Sequence, residues 1–209
     1  ALIFACVIVS PLAHAGIPVL VDADPLRELE WLKEAQRWMQ TAQHYQSQIQ
    51  AYKNQLATAT GVRDIADFVD QAKSLKSDLE KLRKPGQTLN DLLLSGGTSG
   101  QFDALYAKYR VFDTCNAEQS GRYADTCKQL VINKAIQLEQ TDEIQDQVSQ
   151  TLGEINGLSN RIALSKDSKE SQDLANSIQL KSVMLNTFTD QWEMSGKAAE
   201  KREKVLEGV

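Results

Sequence analysis

The sequence has little of what an enzyme needs. Of its 209 residues only two are histidine and three are cysteine, and it contains neither a glycine-rich phosphate loop nor a G-x-S-x-G motif. Hydrolysis and group transfer require a nucleophile beside a base, a paired acid and base, or a metal. The acidic residues alternate with lysines along predicted helices, which is typical of a solvated surface. We therefore predict that the chain is not an enzyme, with a peptidoglycan-cleaving glutamate as the alternative.

Basic charge and metal ligands are also scarce. The 28 acidic residues outnumber the 23 lysines and arginines, which gives a formal net charge of −5. Nucleic acid binding relies on a basic stripe that pairs with phosphates, so we expect no direct nucleic acid partner. His44 is the only histidine after residue 15, and it lies far along the chain from the remaining cysteines. A tetrahedral site therefore lacks ligands, and we predict no metal and no cofactor.

No hydrophobic run reaches the roughly 20 residues that a bilayer-spanning helix requires. Residues 1–9 are apolar and uncharged, Ser10-Pro11 follows, and Ala13-His14-Ala15 has the A-x-A pattern of a cleavage site. This order predicts a signal peptide over residues 1–15, cleaved between Ala15 and Gly16, and export to the periplasm. A lipid anchor on Cys6 is the alternative, but most of the apolar run would then follow the lipid.

Cleavage removes Cys6 and leaves Cys115 and Cys127 in an oxidising compartment. An even pair of cysteines in an exported chain predicts a disulfide. In the chain-entropy account, closing a loop this short stabilises the fold by about 3 kcal/mol.

The first long helix is predicted over residues 25–60, after an extended, proline-interrupted arm over residues 16–24. Asp24-Pro25 supplies an N-cap and a first helical residue. The helix carries an unbroken heptad stripe, and its four aromatics are predicted to form the inner seam of a bundle. The stripe consists of Trp31, Ala35, Trp38, Ala42, Tyr45, Ile49, Tyr52 and Leu56. The remaining surface is rich in glutamine, which suits either helix contact or plain solvation.

Proline and glycine break residues 61–127 into short helical pieces, and we predict that these residues form an appendage. Residues 128–209 carry two further helical periods of nearly the same length as the first. The predicted fold class is all-α: an elongated three-helix bundle with a small, mostly helical, disulfide-stapled appendage.

Two apolar segments are not needed to fill a three-helix core, and we expect function to lie in the protein contacts they make. The assembly arm consists of Ile17, Val19, Leu20 and Val21. The appendage contact surface consists of Leu92, Leu93, Leu94, Phe102, Tyr106 and Tyr109. The alternative for the second group is that these residues form only a small core of their own.

Several short motifs follow one another in a specific order. They are Gly16-Ile17-Pro18-Val19 with Asp22, then Gln48-Ile49, Tyr52 and Gln55, then Thr60-Gly61-Val62-Arg63, and finally Asp167, Lys169, Gln172-Asp173-Leu174 and Ile178. Each motif is modest alone, but together they resemble the minor pilins of type IV secretion systems, the TraC and VirB-five family. Within that family the likeness is nearest to the TrwJ-like minor pilins of conjugative plasmids.

This resemblance implies a periplasmic, mostly helical protein that acts in pilus biogenesis, at the stalk and at the pilus tip, and in contact with recipient cells. The implied partners are the major pilin, the polytopic inner-membrane component of the machine, and copies of the chain itself in a ring, with five-fold symmetry expected. It implies no catalytic residues. A periplasmic helical chaperone or scaffold is the alternative from another class.

Overall fold

The computed structural model describes residues 25–60, 64–95, 100–109, 115 and 122–208. Within these ranges the chain forms helices and no strand, which confirms the predicted all-α class. The helices are α1 (Pro25–Thr60), α2 (Ile65–Leu82), α3 (Leu89–Ser95), α4 (Gln101–Lys108), α5 (Arg122–Leu164) and α6 (Ser168–Glu207). None of these described helices combines the length and hydropathy that crossing a membrane requires. The predicted signal peptide, its cleavage site and the arm lie outside the described residues.

Three long helices form an elongated bundle, called the rod below. α1, α5 and α6 contain 36, 43 and 40 residues, so each is about 54 to 65 Å long at 1.5 Å per residue. α5 packs along both α1 and α6, which contact each other much less. Hydrogen bonds from Lys53 to Asp142 and from Gln46 to Ser149 show that α1 and α5 are antiparallel. The predicted three-helix architecture is confirmed.

α6 runs antiparallel to α5 and therefore parallel to α1. Near the start of α5, the Asn133 side chain donates to the Ala199 carbonyl at 3.3 Å, close to the end of α6. Farther along α5, Glu154 forms an ion pair with Lys181, nearer the start of α6. The opposite order of the partners along the two helices fixes their relative direction.

The appendage ends earlier in the chain than the sequence indicates. Its predicted boundary at residue 127 lies inside α5, because that helix already begins at Arg122. Asp125 in the first turn favours this start, since an acidic side chain complements the positive end of a helix dipole. Cys127 is therefore a helical residue, and the disulfide joins the loop to the start of a rod helix.

The rod closes around the smaller residues of the α1 stripe and not around its aromatics. Ala35 and Ala42 have no exposed surface and Ile49 is 1% exposed. The four aromatics are only partly buried, namely Trp31, Trp38, Tyr45 and Tyr52. The prediction that these rings form the inner seam is therefore wrong in part. Small side chains let the helices approach closely, and the larger rings cover the edges of that contact.

Candidate interaction surfaces

The appendage packs onto the first half of α5 and shares one hydrophobic core with it. α2 contributes Phe68 and Leu75, and α5 contributes Ile132 and Ile136, all with no exposed surface. The short helices α3 and α4 add Leu92, Leu93, Phe102 and Leu105 to the same cluster. The appendage is thus anchored to the rod by a continuous apolar contact.

This packing corrects the predicted appendage contact surface. Leu92, Leu93, Phe102 and Tyr109 are at most 6% exposed and belong to the core of the chain itself. Tyr106 is half-buried against the same cluster, and Leu94 is also half-buried. An exposed contact surface is therefore wrong for four of the six residues. The physical reason is that helices of seven and eight residues are stable only when their apolar face is buried, and α5 offers the nearest apolar face.

Polar contacts fix the buried end of α4 against α2. The Tyr109 hydroxyl donates to Asp78 Oδ2 at 2.7 Å, and Lys108 Nζ donates to the same oxygen at 2.6 Å. The hydrogen bond from Lys108, followed by the one from Tyr109, holds the pKa of Asp78 far below its usual range. Asp78 therefore stays ionised and accepts hydrogen bonds from both Lys108 and Tyr109, which hold the end of α4 against α2.

The predicted disulfide is present. Cys115 and Cys127 are joined with a Cα–Cα distance of 5.9 Å. The Cys115 amide donates to the Tyr106 hydroxyl at 3.1 Å, and both cysteines pack against the shared core. The bond therefore connects the segment after α4 to the beginning of α5.

Replacing Cys115 and Cys127 together by serine is expected to lower the free energy of unfolding of the appendage by about 3 kcal/mol, because the unfolded loop is no longer constrained. Amide exchange should accelerate in α4 and stay unchanged in α6, whose contacts do not involve the loop. Mass spectrometry of the unreduced chain should find neither thiol free. Alkylation of both cysteines without prior reduction would contradict the bond.

One buried and one partly exposed ion pair, both on Asp142, connect α1, α2 and α5. Lys53 Nζ lies 2.5 Å from Asp142 Oδ1 and donates to Gln145 Oε1 at 2.8 Å, and its side chain is 9% exposed. Lys73 of α2 approaches Asp142 at 3.2 Å from the other side. Burial opposes ionisation of Asp142, but the hydrogen bonds and charges of Lys53 and Lys73 outweigh it and keep its pKa below the ordinary value.

A second buried polar cluster ties the end of α6 to the appendage. Arg202 Nε donates to Asn133 Oδ1 at 2.6 Å, and its guanidinium also donates to Asn90 Oδ1 at 3.1 Å. Burial lowers the pKa of Arg202, but the side chain stays charged because its usual pKa is so high. One side chain thus connects α6, α5 and the segment that contains α3.

The outer face of α1 is long and uncharged. Between residues 38 and 60 the only lysine, arginine, aspartate or glutamate is Lys53, which is turned inward and paired. The positions that recur at heptad spacing on the outer side are all exposed, and we call them the α1 uncharged face: Gln40, His44, Ser47, Ala51, Asn54 and Thr58. Three of them, Ser47, Ala51 and Asn54, line an open groove of about 700 Å³ together with three glutamines of α1 and Gln145 of α5.

The outer face of α6 carries a second stripe, with the same heptad spacing. Leu180 is 68% exposed, Met194 70% and Met184 41%, and Val183 next to them is 62% exposed. We call the stripe the α6 ridge: Leu180, Met184, Thr187, Gln191, Met194 and Ala198, all exposed and none charged. Large apolar side chains that recur along a solvent-exposed helix face are typical of a protein contact.

A family model described as type IV secretion system proteins matches residues 16–208. The chain belongs to this family. No curated protein and no solved structure matches it. The match begins at the residue that follows the predicted cleavage site and spans the rod together with the appendage.

In this type IV secretion system protein the end of the rod where α1 begins exposes three leucines among charged side chains such as Glu30 and Lys166. Leu26 and Leu29 at the start of α1 are 70% and 49% exposed, and Leu164 at the end of α5 is 81% exposed. α6 begins at the same end, since Ser171 Oγ donates to Glu28 Oε1 at 3.1 Å. Residues 16–24 lie outside the described part of the chain, but they lead directly into this end.

Two features of the structure were not found from sequence patterns. The α6 ridge could have been found, because its heptad spacing is visible once the inner stripe of the same helix is known. The Lys53–Asp142 pair had no such signal, because its partners are 89 residues apart and nothing in either local segment indicates the other. Among the described residues no three histidine, cysteine, aspartate or glutamate side chains are grouped as a metal site would require.

Proposed function

We propose that the chain is a minor pilin, a component of the pilus or stalk of a type IV secretion system that carries out conjugation. It acts in pilus assembly and at the pilus tip, where it contacts recipient cells. The observation that carries this proposal is the match to type IV secretion system proteins over residues 16–208, which spans the whole described fold. The α1 uncharged face and the α6 ridge support a structural subunit that works through protein contacts.

The proposed place of action is the periplasm and the extracellular pilus, which the chain reaches through its predicted signal peptide. The Cys115–Cys127 disulfide supports this compartment, because such bonds persist under oxidising conditions. The proposed partners are the major pilin, the polytopic inner-membrane component and further copies of the chain in a ring.

Charged substitutions in the arm are expected to abolish pilus-dependent DNA transfer. Val19→Asp combined with Leu20→Asp should leave the helical circular dichroism and the melting temperature unchanged, because the arm precedes the rod. Burying two carboxylates in an apolar contact is costly, so the arm could no longer dock on a partner. Transfer frequency between donor and recipient cells is the measurement.

A matched control is Asn156→Asp combined with Asn160→Asp, which adds the same charge at exposed positions of α5. This control should transfer DNA normally. Normal transfer by the arm variant would contradict the arm as an assembly element. Unfolding of the arm variant would equally contradict it, because the arm would then belong to the fold.

Co-purification from envelope extracts separates the minor pilin from the chaperone or scaffold alternative. A minor pilin should carry the major pilin and the polytopic inner-membrane component of its own machine. A mixture of unrelated exported proteins would favour the chaperone, whose clients share no single interface.

A further inference from the structure

We propose that the α6 ridge of one copy packs on the α1 uncharged face of the next copy, with the two helices parallel and in register, so that the chain closes head to tail into a ring. This inference rests on the self-association included in the proposed function, and it assigns the two surfaces that produce it.

The two faces lie at the same height of the rod. Within one copy the rings of Tyr52 and Trp192 are 5.7 Å apart, so these two residues are level with each other. Every position of the α6 ridge likewise stands 140 residues after a position of the α1 uncharged face, so that Ser47 is level with Thr187. At the end of the rod, Glu28 and Ser171 are joined by a hydrogen bond and are 143 residues apart, close to the same offset of 140.

The spacing of the two faces is also the same. Both stripes advance in alternating steps of four and three, which is the pattern that lets one helix place side chains between those of another. α1 and α6 are parallel within one copy, because both are antiparallel to α5. Two rods that stand side by side in the same orientation therefore present parallel helices with matching steps.

The charges on the two faces are compatible with burial. Neither stripe contains a lysine, arginine, aspartate or glutamate, so their contact buries none of these charges. One heptad before the stripes begin, exposed Lys33 on α1 is level with exposed Asp173 on α6, and the intervening Arg37 forms an ion pair with Glu34 of its own helix. In the parallel arrangement the opposite charges of Lys33 and Asp173 meet between copies at the rim of the contact, where they favour the correct register.

The two faces differ from each other, which decides the kind of assembly. A contact between unlike faces leaves each copy with one face free, so it propagates around a ring or along a filament. Because the faces lie at equal height, successive copies acquire no axial shift, so the assembly stays in one plane and a ring forms where the rotation between copies closes. The two faces lie on different helices of the rod, so one copy offers both at the same time.

Cysteine cross-linking tests the pairing directly. The chain with both Ser47→Cys and Thr187→Cys should form a ladder of dimers, trimers and higher species on oxidation, seen on non-reducing gels. Each single substitution should give no more cross-linking than the unsubstituted chain, which sets the background from its own cysteines. Mixing the two single variants should give dimers alone.

The pattern of products separates the possible outcomes. Efficient cross-linking of Thr187→Cys alone would overturn the proposal in favour of ridge-to-ridge contact between two copies. No ladder from the double variant in a chain that still self-associates by sedimentation would overturn the two faces while leaving the minor pilin proposal standing. A chain that stays monomeric at every concentration would overturn the ring as well, whereas the arm experiment tests the pilin role by DNA transfer.

A charge in the ridge gives a second, independent readout. Met184→Glu should abolish the oligomer and the ladder without changing the melting temperature, because Met184 is exposed in the single chain. Val205→Glu is the matched control, since Val205 is 56% exposed on the same side of α6 but beyond the height at which α1 ends. Equal loss with both variants would contradict the register.

Discussion

Replacing Phe68 by alanine is expected to lower the free energy of unfolding by about 3 to 5 kcal/mol. Phe68 has no exposed surface and lies in the cluster that α2 shares with α5, beside Leu75 and Ile132. Removing the ring loses its burial and leaves a cavity that surrounding helices can fill only in part. Chemical denaturation followed by circular dichroism measures the effect.

The loss of the Phe68 ring is expected to destabilise the appendage more than the rest of the rod. Amide exchange should rise throughout α2, α3 and α4, because these helices are anchored through the shared cluster, and less at the opposite end of the rod. Val183→Ala is the control, because Val183 is 62% exposed and its truncation should cost less than about 0.5 kcal/mol. A cost below about 1 kcal/mol for Phe68→Ala would show that the appendage is not anchored through this residue.

Replacing Asp142 by alanine is expected to cost about 3 to 5 kcal/mol, because it leaves a buried ammonium without its ion partner. The Lys53 side chain is 9% exposed and has only Gln145 as its other described hydrogen-bond partner. Lys73→Ala is the matched control. The Lys73 side chain is 46% exposed, so losing its contact with the same carboxylate should cost less than about 1 kcal/mol.

Combining Lys53→Met with Asp142→Leu should recover most of the lost stability, because a buried pair can be replaced by apolar groups of similar volume at little cost. If the double variant does not recover stability, the Lys53–Asp142 pair stabilises the fold by more than the mutual neutralisation of two buried charges. Thermal melting of these three variants and of the unsubstituted chain at neutral pH is the measurement.

The same pair determines a dependence on pH. The pKa of Asp142 lies below its unfolded value in spite of the opposing effect of burial, because Lys53 and Lys73 stabilise the carboxylate. Its contribution to stability is therefore fully present above the unfolded pKa and is lost as the pH falls through the folded pKa. Melting temperatures should drop on acidification more steeply for the unsubstituted chain than for the Lys53→Met, Asp142→Leu variant.

Local patterns were sufficient for α1 and for the disulfide. The stripe from Trp31 to Leu56 has one period over 26 positions, so it indicates one long helix and the side that packs inward, while Asp24-Pro25 indicates where that helix begins. The disulfide followed from the number of cysteines and the expected compartment, and neither argument needs a partner from elsewhere in the fold.

Burial at a given position was decided only by tertiary packing. The heptad could not tell whether Trp38 or Ala42 would lie at the centre, because that choice depends on how closely α5 and α6 approach α1. The residues Leu92 and Phe102 looked like an exposed surface, because the apolar face of α5 that covers them is distant in sequence.

Periodicity is a property of residues that are close in sequence, so the sequence by itself indicated the long helices and their inner stripes. The order of the short motifs indicated a type IV secretion system protein, and the match over residues 16–208 shows that family. The equal height of the α1 uncharged face and the α6 ridge was decided only by the tertiary structure. It depends on two antiparallel packings through α5, and the register of each is set by side chains that are far apart along the chain, such as Lys53 with Asp142.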